Sequence, residues 1–130
     1  YYNDSIASSP TRTIAGLRSF HQKVILIAGG YDKKIPFDVL GKEVQDHVKT
    51  LVLTGHTAEK IRQAVVQAEG YQEGYPTILM EDDFKQAVLA ASQTAQEGDV
   101  VILSPACASF DHFKNFAQRG QTFKDIVNAL

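Results

Sequence analysis

Residues 23–30, with the sequence KVILIAGG, decide the fold of this chain. Apolar side chains stand at nearly every position of residues 23–28, rather than at alternate positions. This pattern is typical of a strand that is covered on both faces, as in a parallel sheet. The two glycines that follow permit backbone conformations closed to other residues and a close approach by a ligand. The stretch therefore predicts a buried strand that ends in a glycine turn.

Three further apolar runs repeat this pattern along the chain. They are residues 50–54 (TLVLT), 77–80 (TILM) and 99–103 (DVVIL), and there is room for an additional short strand before Asp4. Helix-length segments separate the runs, as in βαβ units with right-handed crossovers. We therefore predict one α/β domain over residues 1–130, with a Rossmann-like, doubly wound, mostly parallel sheet flanked by helices.

Prolines and capping residues mark where the predicted helices begin. The predicted starts are Ser9-Pro10, Pro36, His56-Thr57 and Asp83. Beyond residue 103 the pattern predicts two short helices, at residues 110–119 and 122–130, with Gly120 between them.

The composition indicates a globular protein and excludes several classes of function. Thirteen basic and fifteen acidic residues give a net charge of −2, so no nucleic-acid or membrane partner is implied. No apolar run approaches the roughly 20 residues that span a bilayer. The single cysteine, Cys107, fits a reducing compartment. A start at Tyr1, with neither Met nor a secretory signal, suggests a piece of a longer cytoplasmic protein.

Four loops after predicted strands are candidate ligand sites, because ligands of parallel sheets collect beyond the carboxyl ends of the strands. They are residues 29–36, 55–57, 81–83 and 104–109, and the first and the last are unusual. Residues 29–36 combine the glycine pair with Lys33, a mobile cation for a carboxylate or phosphate. Taken alone, that loop is more typical of a tight turn with solvated lysines. Residues 104–109 are small and end at Ser109, a candidate N-cap that could also hold an anion. A cap with no other role is the commoner case.

Other chemically active residue types give no catalytic or metal assignment. Cys107 lies among small apolar residues, so packing is its commoner role and thiol chemistry is the last alternative. The four histidines show no metal-ligand spacing, and the acidic run at residues 81–83 suits a helix dipole. Phe110, Phe113 and Phe116 recur at helical spacing, which usually indicates core, although one of them could line a site.

Residues 98–111 (GDVVILSPACASFD), followed by FKNF at 113–116 and RG at 119–120, closely resemble the C-terminal domain of D-glutamate-adding members of the Mur ligase family. The glycine pair with Lys33 and the opening NDS at 3–5 fall where that family has its other motifs. The resemblance covers essentially the whole chain, and its SPACAS segment is highly specific. It implies a mobile Rossmann-like domain that follows an N-terminal UDP-sugar domain and a central domain with a P-loop.

The resemblance implies an ATP-dependent, amide-forming ligase of peptidoglycan precursor synthesis. The L-alanine carboxylate of UDP-N-acetylmuramoyl-L-alanine would be activated as an acyl phosphate. The amine of D-glutamate would then attack, giving an amide, ADP and phosphate. ATP and Mg²⁺ would be bound mainly by the central domain, so the 130 residues alone are expected to be inactive.

The resemblance also assigns binding residues one by one. Those expected to contact D-glutamate are Lys33, Ser109, Phe110, Phe116 and Ser8, and Asp4 matches an acid on the nucleotide-facing edge. There are two departures from the family pattern. Ile6 replaces a common lysine, whose phosphate contact must be absent or supplied elsewhere, and Ser9 replaces the usual asparagine.

A second hypothesis, from another class, is a free-standing Rossmann-like module that binds a nucleotide or acidic metabolite without catalysis. Fold alone does not separate the two hypotheses. A Gly-Lys-Ser/Thr P-loop upstream of Tyr1 would distinguish the ligase, because this chain contains none.

Overall fold

The structure is a computed structural model that describes residues 1–31, 34, 36–108 and 113–130. Strands and helices alternate along the chain. They are β1 (Tyr2–Asn3), α1 (Pro10–Leu17), β2 (Val24–Ala28), α2 (Asp38–His47), β3 (Val48–Leu53), α3 (Ala58–Gln67), β4 (Thr77–Met80), α4 (Phe84–Thr94), β5 (Val101–Leu103) and α5 (Phe116–Asn128). Within these described ranges, no helix has both the length and the apolar character needed to cross a membrane.

The five strands form one parallel sheet in the order β1-β5-β2-β3-β4. Strand β2 lies at the centre, with Leu26 paired to Leu51 of β3 and to Ile102 of β5. Because all five strands are parallel, their carboxyl ends meet at one edge of the sheet, and the loops that follow them lie together there.

The core consists of one layer on each face of the sheet. Leu26 packs with side chains of α2 and α3, including Leu40 and Ile61. Its neighbours Ile25 and Ile27 point to the opposite face, where they pack with residues of α4 and α5. All five residues of β2 are buried, which explains why the strand is apolar at every position.

The predicted α/β architecture is confirmed, as are all four main strands to within two residues. The short strand before Asp4 is β1. Pro10 begins α1 and Asp83 caps α4, its carboxylate accepting the backbone N–H of Gln86 at 3.1 Å. The predicted start at Pro36 is early, because α2 begins at Asp38.

The predicted break at Gly120 is wrong: α5 runs without interruption from Phe116 to Asn128. Gly120 is buried inside the helix, and a Cβ at this position would lie 2.7 Å from the Asn3 side chain and 3.2 Å from Ser5 Cβ. The glycine therefore permits α5 to pack closely against the segment after β1. Within a helix, glycine is less stable than alanine by about 1 kcal/mol.

An ion pair near the amino ends of β3 and β5 makes the stability of the fold depend on pH. Lys49 Nζ lies 2.6 Å from Asp99 Oδ1, and the Gln96 backbone N–H donates to Asp99 Oδ2 at 2.8 Å. The bond from Lys49, followed by that from Gln96, lowers the pKa of Asp99. Since the pKa is lower in the folded chain, the carboxylate contributes stability above its ordinary pKa of about 3.9, and this is lost as pH falls through the folded pKa.

We therefore expect Asp99→Asn to destabilise the chain at pH 6, and the destabilisation to diminish as the pH falls through the folded pKa of Asp99. Urea unfolding of both proteins at several pH values measures the difference in free energy of unfolding. A difference that stays constant as the pH is lowered until the Asp99 carboxylate is protonated would contradict this origin of the stability.

Candidate functional site

The glycine loop after β2 and the small-residue loop after β5 are hydrogen-bonded to each other at the carboxyl edge of the sheet. The Gly29 N–H donates to the Pro105 carbonyl at 2.9 Å, and the Tyr31 N–H donates to the Ala108 carbonyl at 2.9 Å. Tyr31 and Ala108 also form an isolated antiparallel bridge. The two loops singled out in the sequence are thus one structural unit.

Thr57, at the start of α3, completes this unit from a third loop. Its hydroxyl accepts the Gly30 N–H at 3.0 Å and lies 3.1 Å from Cys107 Sγ. Thr57 is fully buried and makes no side-chain cap bond to its own helix. Cys107 is buried as well, with 3% of its surface exposed, which supports the packing role predicted for this thiol.

Asp4 lies at the end of β1, bonded to the loop after β5. Its Oδ2 accepts a hydrogen bond from Ser104 Oγ at 2.8 Å, and its backbone N–H donates to the Leu103 carbonyl. Ser104 in turn contacts the buried Thr13 of α1, whose hydroxyl donates to the Ser104 carbonyl at 3.1 Å. The half-buried Asp4 carboxylate is therefore held at the carboxyl edge.

A buried arginine, Arg119 of α5, joins the segment after β1 to the segment after β5. Only 2% of its surface is exposed. Its Nη2 donates to the Ser5 carbonyl at 2.6 Å, its Nε to the Ser5 hydroxyl at 3.0 Å, and its Nη1 to the Cys107 carbonyl at 2.9 Å. Ser5 Oγ donates onward to the Phe116 carbonyl at 2.6 Å.

The sequence analysis assigned no role to Arg119, although one signal was present. Arg119 and Phe123 stand three and seven positions after Phe116, so they lie on one side of a continuous helix. The predicted break at Gly120 concealed this pattern. Thr57 was interpreted as a helix start within one of the four candidate ligand loops, residues 55–57, but its bonds to Gly30 and Cys107 were not predicted.

The predicted site residues divide into two groups. Lys33, Ser109 and Phe110 lie outside the described residues, while Asp4, Ser8 and Phe116 lie at the carboxyl edge. Phe116 begins α5 with 45% of its surface exposed, and Ile6, 52% exposed, lines the same cleft of about 330 Å³. Ser8 is half-buried.

Phe113, in contrast, packs edge-on against Phe84 at 5.0 Å between ring centroids, as part of the core.

A second cleft, of about 390 Å³, separates α2 from α3 near the same edge. It is lined by cations and anions together, including Lys34, Lys60, Asp38 and Glu59. Glu59 is negatively charged at neutral pH, and hydrogen bonds from Arg62 and then Gln63 lower its pKa further, to about 2. This mixed lining does not select an anion.

Among the described residues, no group of three or more His, Cys, Asp or Glu side chains could hold a metal ion.

Residues 1–107 match the family model described as "Mur ligase, glutamate ligase domain". The chain belongs to the Mur ligase family. The match includes β1 to β5 and most of the small-residue loop, and therefore the sheet and most of the carboxyl edge described above.

Three ligases of similar sequence support this membership. The UDP-N-acetylmuramoylalanine--D-glutamate ligase of Clostridium novyi (strain NT) is 58% identical over 130 residues, and that of Clostridium kluyveri (strain NBRC 12016) is 57% identical. The enzyme of the same name from Acetivibrio thermocellus is 57% identical over 133 aligned residues. Each comparison covers 100% of this chain and 28% of the relative, so the chain spans about a quarter of the length of the proteins it matches.

The fold is shared with a solved ligase structure. The structure of UDP-N-acetylmuramoyl-L-alanyl-D-glutamate--2,6-diaminopimelate ligase superposes with a TM-score of 0.56 at 18% identity. The superposition covers 94% of this chain and 28% of that structure. At this identity the likeness concerns the Rossmann-like fold and not the substrate.

Proposed function

We propose that residues 1–130 form the C-terminal domain of a cytoplasmic, ATP-dependent ligase that joins D-glutamate to UDP-N-acetylmuramoyl-L-alanine. The observation that carries the proposal is the pairing of the two loops in a member of the Mur ligase family. Tyr31, two residues before Lys33, is bonded to Ala108, one residue before Ser109. A small dicarboxylate needs a cation and several N–H or O–H donors, and the two loops are the predicted source of both.

Each proposed contact has a chemical reason. Lys33 would supply a positive charge to one carboxylate, while Ser109, Phe110 and Phe116 would hold the side-chain carboxylate end, partly through backbone groups. Ser8 would add a hydroxyl donor. Hydrogen bonds with a charged partner contribute about 1.5–3 kcal/mol each, so several are needed to select D-glutamate.

ATP and Mg²⁺ are assigned mainly to a central domain outside these 130 residues, because the sequence contains no P-loop. The contribution proposed for this domain is Asp4, whose carboxylate lies at the edge of the sheet and could accept a hydrogen bond from the nucleotide. When bound, Mg²⁺ would neutralise phosphate charge during formation of the acyl phosphate. Closure of the domain would then exclude water from that reactive group.

Release of phosphate by the full-length protein that carries this domain tests the proposal. We expect release to require UDP-N-acetylmuramoyl-L-alanine and D-glutamate together, and to yield one amide product per phosphate. L-Glutamate and D-aspartate are the matched controls, since each changes one feature of the acceptor. Phosphate release that needs neither substrate, or that proceeds equally with either control, would contradict the proposed specificity.

A further inference from the structure

The guanidinium of Arg119 fixes three separate chain segments relative to one another. It donates to the carbonyl and hydroxyl of Ser5 after β1 and to the carbonyl of Cys107 after β5, and its own residue belongs to α5. Ser5 and Arg119 are separated by 114 positions in sequence. One side chain therefore joins segments that the chain itself keeps far apart.

Burial of this group in the core of the domain is informative because it carries a cost. A charged side chain is rarely buried fully unless its donors are satisfied. The oxygen atoms of Ser5 and Cys107 satisfy three donors at 2.6 to 3.0 Å. A planar guanidinium presents its N–H donors in a fixed fork. The three bonds therefore fix the direction as well as the distance of each acceptor oxygen, which a lysine ammonium cannot reproduce.

Each of the three joined segments carries or adjoins a proposed ligand contact. Ser5 lies between Asp4 and Ser8, and its hydroxyl is bonded to the carbonyl of Phe116 at 2.6 Å. Cys107 belongs to the loop that leads to Ser109. An error of about 1 Å in the placement of such contacts is enough to reduce activity greatly.

We propose that Arg119 is a positioning residue for D-glutamate, holding the segment after β1, the loop after β5 and the start of α5 in their binding arrangement. The inference rests on the function proposed above. Arg119 does not itself contact substrate in this account; it acts through Ser5 and the Cys107 carbonyl.

Steady-state kinetics of Arg119→Lys and Arg119→Met in the full-length protein test this role. We expect the KM for D-glutamate to rise about tenfold or more in both variants, since charged hydrogen bonds that define the pocket are lost. The KM values for ATP and for UDP-N-acetylmuramoyl-L-alanine should change less than about threefold. Asp4 is held separately by Ser104 and the Leu103 carbonyl, and the other contacts of these two substrates are assigned to other domains.

Gln45→Ala provides the matched control for stability. Gln45 Nε2 donates to the Val65 and Ala68 carbonyls at 3.2 Å, so it also joins two elements through backbone oxygens, but at the far end of α3 from the carboxyl edge. We expect Gln45→Ala to lower the melting temperature and to leave the KM for D-glutamate unchanged.

The outcomes separate the two proposals. If the wild-type protein shows no turnover that depends on D-glutamate, the proposed function fails. If the wild type is active but Arg119→Lys keeps the wild-type KM for D-glutamate, or raises all three KM values equally, the positioning role is wrong. Arg119→Lys retains the charge and the stem, so it decides the question even where Arg119→Met does not fold.

Discussion

Replacement of Gly29 by alanine is expected to reduce the free energy of unfolding by about 3 to 5 kcal/mol. Gly29 has a φ of +118°, which L side chains rarely adopt, and a Cβ at this position would lie 1.8 Å from the Thr54 carbonyl oxygen. Two costs therefore add. The backbone is strained, and the loop after β3 must move away although Thr54 is bonded to Ala28 at 3.0 Å.

Gly98→Ala separates these two costs. Gly98 has a φ of +89°, but a Cβ at this position would meet no heavy atom of the described residues within 4 Å, its chain neighbours apart. Only the backbone strain remains, so we expect a loss of about 1 kcal/mol. Urea unfolding of the 130-residue chain measures both variants. Equal losses would show that the contact between the glycine loop and Thr54 is not what excludes a side chain at position 29.

The same contact explains why the sequence was informative about β2. An apolar side chain at every position reflects burial on both faces, and the two glycines reflect the close approach of neighbouring loops. Both requirements arise in the folded chain, but each determines the residue types at consecutive positions of one strand and its turn. The strand positions and the parallel sheet could therefore be predicted from the apolar runs and from the glycines, prolines and capping residues between them.

Gly120 shows where such reasoning fails. A glycine that ends a helix and a glycine that permits a helix to pack closely look identical in sequence. The choice is decided by Asn3 and Ser5, which lie more than 110 positions earlier and meet α5 only in the folded chain. Arg119 was missed for the same reason, since its acceptors are carbonyl and hydroxyl oxygens of distant segments and no nearby acid marks it as buried.

The binding residues themselves depended on family resemblance rather than on spacing. A lysine near two glycines and a serine near a helix start are common features of loops without ligands. What spacing could not supply was the pairing of the loops, through Gly29 with Pro105 and Tyr31 with Ala108. This pairing is the physical basis for treating Lys33 and Ser109 as parts of one proposed site.

Lys33→Ala in the full-length protein is expected to raise the KM for D-glutamate by about 10- to 100-fold, the equivalent of one charged hydrogen bond. The KM for ATP should change little, because the nucleotide is assigned to another domain. The expected rise in the KM for D-glutamate is electrostatic in origin. D-Glutamate brings two carboxylates into the site, and removal of the cation leaves one of them without its proposed partner.

Lys34→Ala is the matched control, because it removes the same charge from the adjacent position. Lys34 is exposed, and it lines the cleft of mixed charge between α2 and α3. If general attraction of an acidic substrate were responsible, both variants would raise the KM for D-glutamate alike, and both effects would diminish with added salt. A large effect confined to Lys33→Ala requires a direct contact with the amino acid, whereas an unchanged KM in that variant would remove Lys33 from the site.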